Sequence, residues 1–294
     1  MDKPIVPAVS VVILTLNAGK YIETLLDALR RQTVAPVEVL VVDSASTDDT
    51  VSIAEKCEAT VVPIARSSFN HGGTRNAAFQ QTKGEYVLFL TQDALPRGAD
   101  LIARMVGTLN RNPGMALVYG RHLPREDASA QERLIREYNY PPDSHIYGRK
   151  DVPEHGIKTF FSSDTCAMYK RDVFERIGGF EADVKTNEDM FYAARAIASG
   201  YLVGYDAKAE VIHSHNFTLR EQYRRNYIQG YEIERHRDLL AGAAQSSEGM
   251  KLVAAVSKGL LSKGRVLSWI RFGFDCCARY LGNWMGKKKA RKEC

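Results

Sequence analysis

Residues 9–50 read VSVVILTLNAGKYIETLLDALRRQTVAPVEVLVVDSASTDDT. Val9 to Leu16 is an unbroken apolar, β-branched run, the pattern of a strand buried on both faces of a parallel sheet. Over Tyr21 to Arg31 the period changes, and Ile22, Leu25, Leu26 and Leu29 form one helical stripe. Val37 to Val42 is a second buried strand, ending at Asp43. Strand, helix and strand at this spacing make a βαβ unit, which requires a parallel sheet and a crossover.

The same alternation continues outward. Ser44 to Thr50 is a loop rich in capping residues, followed by a helix over Val51 to Cys57 and a short strand over Ala59 to Pro63. The Gly72-Gly73 turn leads into a helix over Thr74 to Gln81, and Tyr86 to Leu90 is a fourth strand. Leu101 to Leu109 reads as a helix and Ala116 to Tyr119 as a strand. From Leu123 to Lys158, with YNYPPDSHIYG inside it, the pattern predicts a long functional loop. Beyond it come a strand over Thr159 to Tyr169, helices over Arg171 to Gly178 and Glu188 to Ser199, and strands over Tyr201 to Tyr205 and Glu210 to His213. The expected fold is α/β: a Rossmann-like, mostly parallel sheet with helices on both faces, plus C-terminal amphipathic helices. On such sheets ligands bind at the carboxyl ends of the strands.

Composition narrows the class. The chain has 294 residues, 45% hydrophobic and 26% charged, ordinary values for a globular protein. Met1 to Ala8 lacks the form of a secretory signal, and no apolar run reaches the roughly 18 residues of a spanning helix. The five cysteines, Cys57, Cys166, Cys276, Cys277 and Cys294, show no metal spacing, which fits a reduced, cytoplasmic chain. The net charge of +5 is unevenly placed. From Met250 onward Lys and Arg face only two acids, Asp275 and Glu293, so the rest of the chain is slightly acidic. No basic and aromatic residues interleave in that body, so no nucleic-acid partner is expected.

The strand ends supply the candidate site. Asp43 and Asp93 both stand there, and each has two readings: a ligand-binding carboxylate or a local cap. Thr15, Asn17 and Gln92 border the same edge. Arg75 carries a fork of donors suited to a diphosphate, or else lies on a solvated helix face, and His71 is a ligand contact or a turn residue. Glu188 and Asp189 open a helix, where the dipole favours ionised carboxylates with or without a chemical role. Alternation sends His213 and His215 to one face of an extended segment, where neutral imidazoles serve as metal ligands or as structure.

Several linked stretches resemble the family 2 glycosyltransferases of the GT-A fold. They are residues 9–50, FNHGGTRN with GEYVLFLTQDA, CAMYKRDVFERIGGF and NEDMFYAARAIASGY, and the likeness covers about residues 8 to 240. Within that family FNHGGTRN, TQDA and HSHNFTLREQYRR look most like bacterial rhamnosyltransferases. The resemblance implies an inverting transfer of a sugar, L-rhamnose from dTDP-L-rhamnose, to a hydroxyl of a lipid-linked cell-surface polysaccharide intermediate. A UDP-sugar donor and a non-catalytic nucleotide-sugar-binding protein are the alternatives. It further implies that Asp43 accepts the imide N–H of thymine or uracil, that Asp93 holds Mg²⁺ or Mn²⁺, and that Asp189 is the general base with Glu188 beside it. A late histidine, His213 or His215, joins the metal, and Asp164 contacts the acceptor. The family's usual Asp-x-Asp is here Thr91-Gln92-Asp93, so only the second acid remains.

Residues 241–294 read as a segment separate from the domain of residues 1–240. Val253, Val256, Leu260, Leu267, Ile270, Phe274, Cys277, Leu281 and Trp284 recur at helical spacing, with lysines and arginines on the other side. Such a basic amphipathic segment predicts attachment to an anionic membrane, here the inner face of the cell membrane. The alternative is a stripe packed on the body. Gly259, Gly264, Gly273 and Gly282 argue against one long helix, at about 1 kcal/mol each relative to Ala.

Overall fold

The computed structural model describes residues 8–240, 242 and 246–293. Residues 1–7, on which the leader expectation rests, and Cys294 lie outside the described residues. In chain order the first half contains β1 (Val9–Thr15), α1 (Ile22–Arg30), β2 (Glu38–Asp43), α2 (Thr50–Lys56), β3 (Thr60–Pro63), α3 (His71–Gln81), β4 (Tyr86–Thr91), β5 (Leu95–Pro96) and α4 (Leu101–Arg111). Then come β6 (Met115–Leu123), α5 (Ala130–Asn139), β7 (His145–Tyr147), α6 (Val152–His155), β8 (Cys166–Lys170), α7 (Arg171–Ile177), α8 (Glu188–Ala198) and β9 (Leu202–Ile212). The chain closes with α9 (Leu219–Arg235), α10 (Ser246–Leu261) and α11 (Val266–Glu293).

Among the described residues the strands form one sheet in the order β3-β2-β1-β4-β8-β6-β9-β5, with β7 also paired to β9. Strands β1 to β4 are mutually parallel, as the βαβ pattern requires, and so are β6 and β9. β8 runs antiparallel to both β4 and β6. Strand alternation divides the core. Val9, Val11 and Ile13 pack with Leu25 and Leu29 of α1 and Met105 and Leu109 of α4 on one face. Val12, Val42 and Phe89 pack with Phe79 of α3, Phe174 of α7 and Phe191 of α8 on the other. Helices therefore cover both faces, as expected.

Three local expectations are corrected. The stretch from Leu123 to Lys158 holds α5, β7 and α6; the Ser129 hydroxyl caps α5 by accepting from Glu132 N at 3.3 Å. Thr159 and Phe160 belong to a short 3₁₀ turn, and the strand begins only at Cys166. The two strands expected near residues 201–213 are one, β9, whose partner register jumps from Gly120↔Asp206 to Arg121↔Glu210. The polar break in the sequence is that bulge, where Gly120 lets the Ala209 carbonyl approach; a Cβ there would meet it at 2.6 Å.

The tail is not a detached segment. Val256 and Leu260 of α10 and Phe272 of α11 are buried with Ile135 of α5. As its glycines imply, the tail is not one long helix: Gly264, at φ 64, lies in the break between α10 and α11. Within α11, Gly282, Gly286 and Ala290 form a small-residue seam against α9. A Cβ at Gly286 would lie 2.0 Å from the Tyr227 carbonyl oxygen. The opposite side of α11 is exposed and apolar, with Leu267 84% and Phe274 61% accessible. The packed reading of the tail is thus realised by one side of α11, and the other side is left exposed. No described helix is long and apolar enough to cross a membrane.

Candidate active site

The carboxyl ends of β1, β2 and β4 meet in register, Thr15 beside Asp43 and Leu14 beside Thr91. Thr15 Oγ1 donates to Asp43 Oδ1 at 2.9 Å, and Ser46 donates to the same carboxylate through N (2.8 Å) and Oγ (2.5 Å). An ionised carboxylate has about four acceptor sites, so these three bonds leave room for one more donor. Asn17 stands at φ 51 and accepts from Thr47 N at 2.9 Å, tying the loop after β1 to the loop after β2. Gln92 accepts from Leu16 N (2.8 Å) and donates to Leu16 O (3.2 Å), so its amide locks β1 to β4.

Asp93 follows β4, and the next residues enter β5 rather than a helix, which removes the helix-cap reading. β5 pairs with β9 through Leu95↔Ile212. That register delivers Asp93 to the two histidines just past β9. His213 Nε2 and His215 Nε2 each lie 3.5 Å from an Asp93 carboxylate oxygen. One ligand atom from each of the three residues falls within 4.8 Å of the others. Burial, then the cations around it, hold His213 well below the ordinary imidazole range, so it is neutral as a metal ligand must be. Two neutral imidazoles and one carboxylate fit a divalent cation with open positions. Arg125 donates to the Asp93 backbone carbonyl at 2.7 Å and fixes the turn.

Across a cleft of about 500 Å³ stand three acids. Asp164, Glu188 and Asp189 share one buried cation, Arg75, whose guanidinium reaches Glu188 at 2.8 Å and Asp164 at 3.2 Å. Arg75, at 4% exposure, is not on a solvated helix face; it lines the cleft and braces the acids through two carboxylate partners. It gets there because α3 starts at His71, so Gly72-Gly73 is a first helical turn and not a separate turn. Asn70 caps it, accepting from Gly73 N, and a Cβ at Gly72 would collide with the Glu181 carbonyl oxygen. His71 sits at the cleft rim, 3.7 Å from Glu188.

One arginine does not neutralise three acids. Burial first, then Glu188 and Asp164, push Asp189 well above the ordinary carboxylate range. Asp164 is pushed to about 7, mainly by burial, against the pull of Arg75. Asp189 is held by two backbone donors, Met190 N at 2.7 Å and Asp164 N at 3.2 Å. The residue before the pair, Asn187, is left-handed at φ 66, with its buried amide nitrogen unpartnered among the described residues. Strain of this kind collects at functional sites. The cleft is also lined by residues the sequence reading did not select: His122, Arg136, Tyr140 and Arg225. Arg136 and Tyr140 were hidden by reading α5 as a loop, although Ser129-x-x-Glu132 is the signature of a capped helix start.

Residues 10–178 match the family model described as glycosyl transferase family 2. The chain is a family 2 glycosyltransferase. It is 40% identical over 288 residues to the O-antigen chain rhamnosyltransferase RfbN of Salmonella typhimurium, covering 95% of this chain and 89% of that one. It is 39% identical to the O-antigen chain rhamnosyltransferase WbaN of Salmonella anatum, covering 96% and 90%. Among solved structures it resembles the mannosyltransferase PcManGT of Pyrobaculum calidifontis in complex with GDP-Man and Mn²⁺, with a TM-score of 0.66 and 20% identity over 96% of this chain and 88% of that one. At that identity the likeness establishes the shared fold.

Proposed function

We propose that this glycosyltransferase moves L-rhamnose, with inversion, from dTDP-L-rhamnose to a hydroxyl of a lipid-linked O-antigen intermediate. The observation that supports the reading is the pairing of near-full-length similarity to two O-antigen chain rhamnosyltransferases with a single cleft lined by Asp93, His213 and His215 and by the three acids. Thr15, Asn17 and Asp43 hold the nucleoside end, with the last acceptor site of Asp43 taking the base imide N–H. Gln92 keeps that edge assembled. Asp93, His213 and His215 hold a divalent cation. When bound, that cation neutralises the leaving diphosphate as a Lewis acid. The PcManGT complex with Mn²⁺ supports the same choice of metal. Thr91 keeps its buried hydroxyl unpartnered among the described residues and lines the cleft.

Asp189 is the general base, with Glu188 and Asp164 on the acceptor side. The acceptor hydroxyl oxygen attacks the anomeric carbon from the face opposite the diphosphate. Its proton passes to Asp189 as the carbon–oxygen bond to the diphosphate breaks, and the nucleoside diphosphate leaves. Burial and the neighbouring carboxylates raise Asp189's affinity for protons, the direction a general base requires.

The exposed apolar side of α11, with Lys287, Lys288 and Lys289 at its end, is the face toward an anionic membrane. The testing experiment is thermal stabilisation by a panel of nucleotide sugars with and without Mn²⁺. A donor at 100 times its Kd adds about 2.7 kcal/mol. The reading requires dTDP-L-rhamnose with metal to lead the panel; a UDP-sugar in first place would replace the donor assignment.

A further inference from the structure

A second pocket adjoins the cleft. It has a volume of about 250 Å³ and is shared among α5, the segment 215–217, α9 and α11. His215, the candidate metal ligand, lines both spaces and joins them. The pocket's far wall is α11, which contributes Arg271, Asp275 and Arg279.

Its polar groups are only half used. Asp275 is buried and paired with Arg279 at 2.6 Å. Glu132 is likewise paired with Arg136 at 2.7 Å. Both acids of the pocket are therefore neutralised within the protein. Arg271 has no partner among the described residues, so the pocket keeps an uncompensated cation. Gln222 is 5% exposed, yet its side-chain amide makes no hydrogen bond among the described residues. Its amide atoms keep contact with the pocket space, so they are free to hydrogen-bond a group that enters it. Arg225 stands nearby on α9 with its guanidinium over the Phe217 ring and no carboxylate partner among the described residues.

The surroundings of Arg271 specify the rest of the ligand. Leu267, Ile270 and Phe274 surround it on α11 and are 84%, 47% and 61% exposed. On a helix, positions three and four apart are neighbours, so Arg271 stands at the boundary between the pocket wall and the exposed apolar row. A cation and an available amide behind an exposed apolar rim match an amphiphile with an anionic phosphate head. A bare phosphate would use the pocket and leave the rim unexplained.

We propose that this pocket binds the phosphate or diphosphate that joins the lipid to the sugar of the acceptor. The hydrocarbon leaves along the apolar row of α11, and the sugar extends past His215 into the cleft. The inference rests on the proposed lipid-linked acceptor. It adds a binding site distinct from the donor side, and it gives α11 a role in acceptor selection as well as attachment.

The test is binding of farnesyl diphosphate, farnesol and inorganic diphosphate to the full-length protein, in wild type, Arg271→Ala and Arg271→Lys. Arg271 is exposed and unpartnered, so its replacement leaves the fold intact. Farnesyl diphosphate is expected to bind best, to weaken about tenfold or more in Arg271→Ala, and to recover in part in Arg271→Lys, as expected for loss of a charge-assisted hydrogen bond. Farnesol and inorganic diphosphate are expected to bind weakly in all three. Equal binding of farnesyl diphosphate by wild type and Arg271→Ala overturns the site. Inorganic diphosphate binding as tightly as farnesyl diphosphate overturns the lipid assignment and leaves an anion site. In turnover, Arg271→Ala is expected to raise the KM for a lipid-diphosphate acceptor while leaving kcat and the donor KM unchanged. Failure of the rhamnosyl reading would appear as absent turnover with every acceptor, an outcome separate from the binding results.

Discussion

Asp189 receives two backbone hydrogen bonds and faces two other carboxylates, so its position is fixed while its charge is costly. Asp189→Asn preserves shape and removes the proton acceptor. Transfer is expected to fall by about 10²–10⁴-fold with donor affinity unchanged, read by initial rates and calorimetry. Because Glu188 contributes to holding the Asp189 proton, Glu188→Gln removes a negative neighbour and makes Asp189 easier to ionise. The acidic limb of the rate–pH profile is expected to move to lower pH in that variant; a limb that stays in place separates Glu188 from the base. At this scale the sequence was legible where chemistry follows the strand ends: Asp43, Asp93, His213 and His215 all stand where alternation and sheet topology put them. The carboxylate partners of Arg75 lie about 90 and 110 residues away in sequence, and no local pattern reports a long-range ion pair.

Elements were legible where period and length agreed, as in β1, α1, β2 and β4. They were lost where aromatic and prolyl residues masked a short helix, as in α5, whose capping signal was present in Ser129 and Glu132. Glycines were legible in part: Gly264, at φ 64, lies in the expected break between α10 and α11. Within α11, Gly282 and Gly286 are where α9's backbone comes close, whereas Gly273 faces open space. The two kinds of glycine are separable by substitution. Gly286→Ala is expected to destabilise the protein by about 1–3 kcal/mol through overpacking against Tyr227. Gly273→Ala, with nothing within 4 Å of the added Cβ, is expected to stabilise by up to about 1 kcal/mol. Urea denaturation of both variants checks the pair; equal effects would mean that α11 does not pack on α9 through this seam.

The molecule as a whole stores its unfavourable electrostatics in the cleft. Asp164, at about 7 against an ordinary 3.8, binds its proton more tightly folded than unfolded. Between those values the folded chain holds the extra proton, so stability is expected to fall as pH rises through that window, and Asp164→Asn is expected to flatten the slope. Thermal unfolding across that range checks it, and a slope unchanged in the variant would place its cause elsewhere. The packing of α11 on α9 also sets how the proposed membrane attachment is tested. Deleting residues 250–294 would strip the packed seam, so charge substitutions on the exposed row, Leu267→Glu with Phe274→Glu, are the cleaner variant. They are expected to abolish co-sedimentation with anionic vesicles while preserving the fold. The central claim is that the Asp93–His213–His215 cluster and Asp189 act on opposite sides of one donor sugar. Its most direct test is rhamnosyl transfer from labelled dTDP-L-rhamnose to a lipid-linked saccharide, with Mn²⁺ and with chelator, followed by the anomeric configuration of the product. The account predicts metal-dependent transfer with inversion; transfer with retained configuration, or at an undiminished rate in chelator, would contradict it.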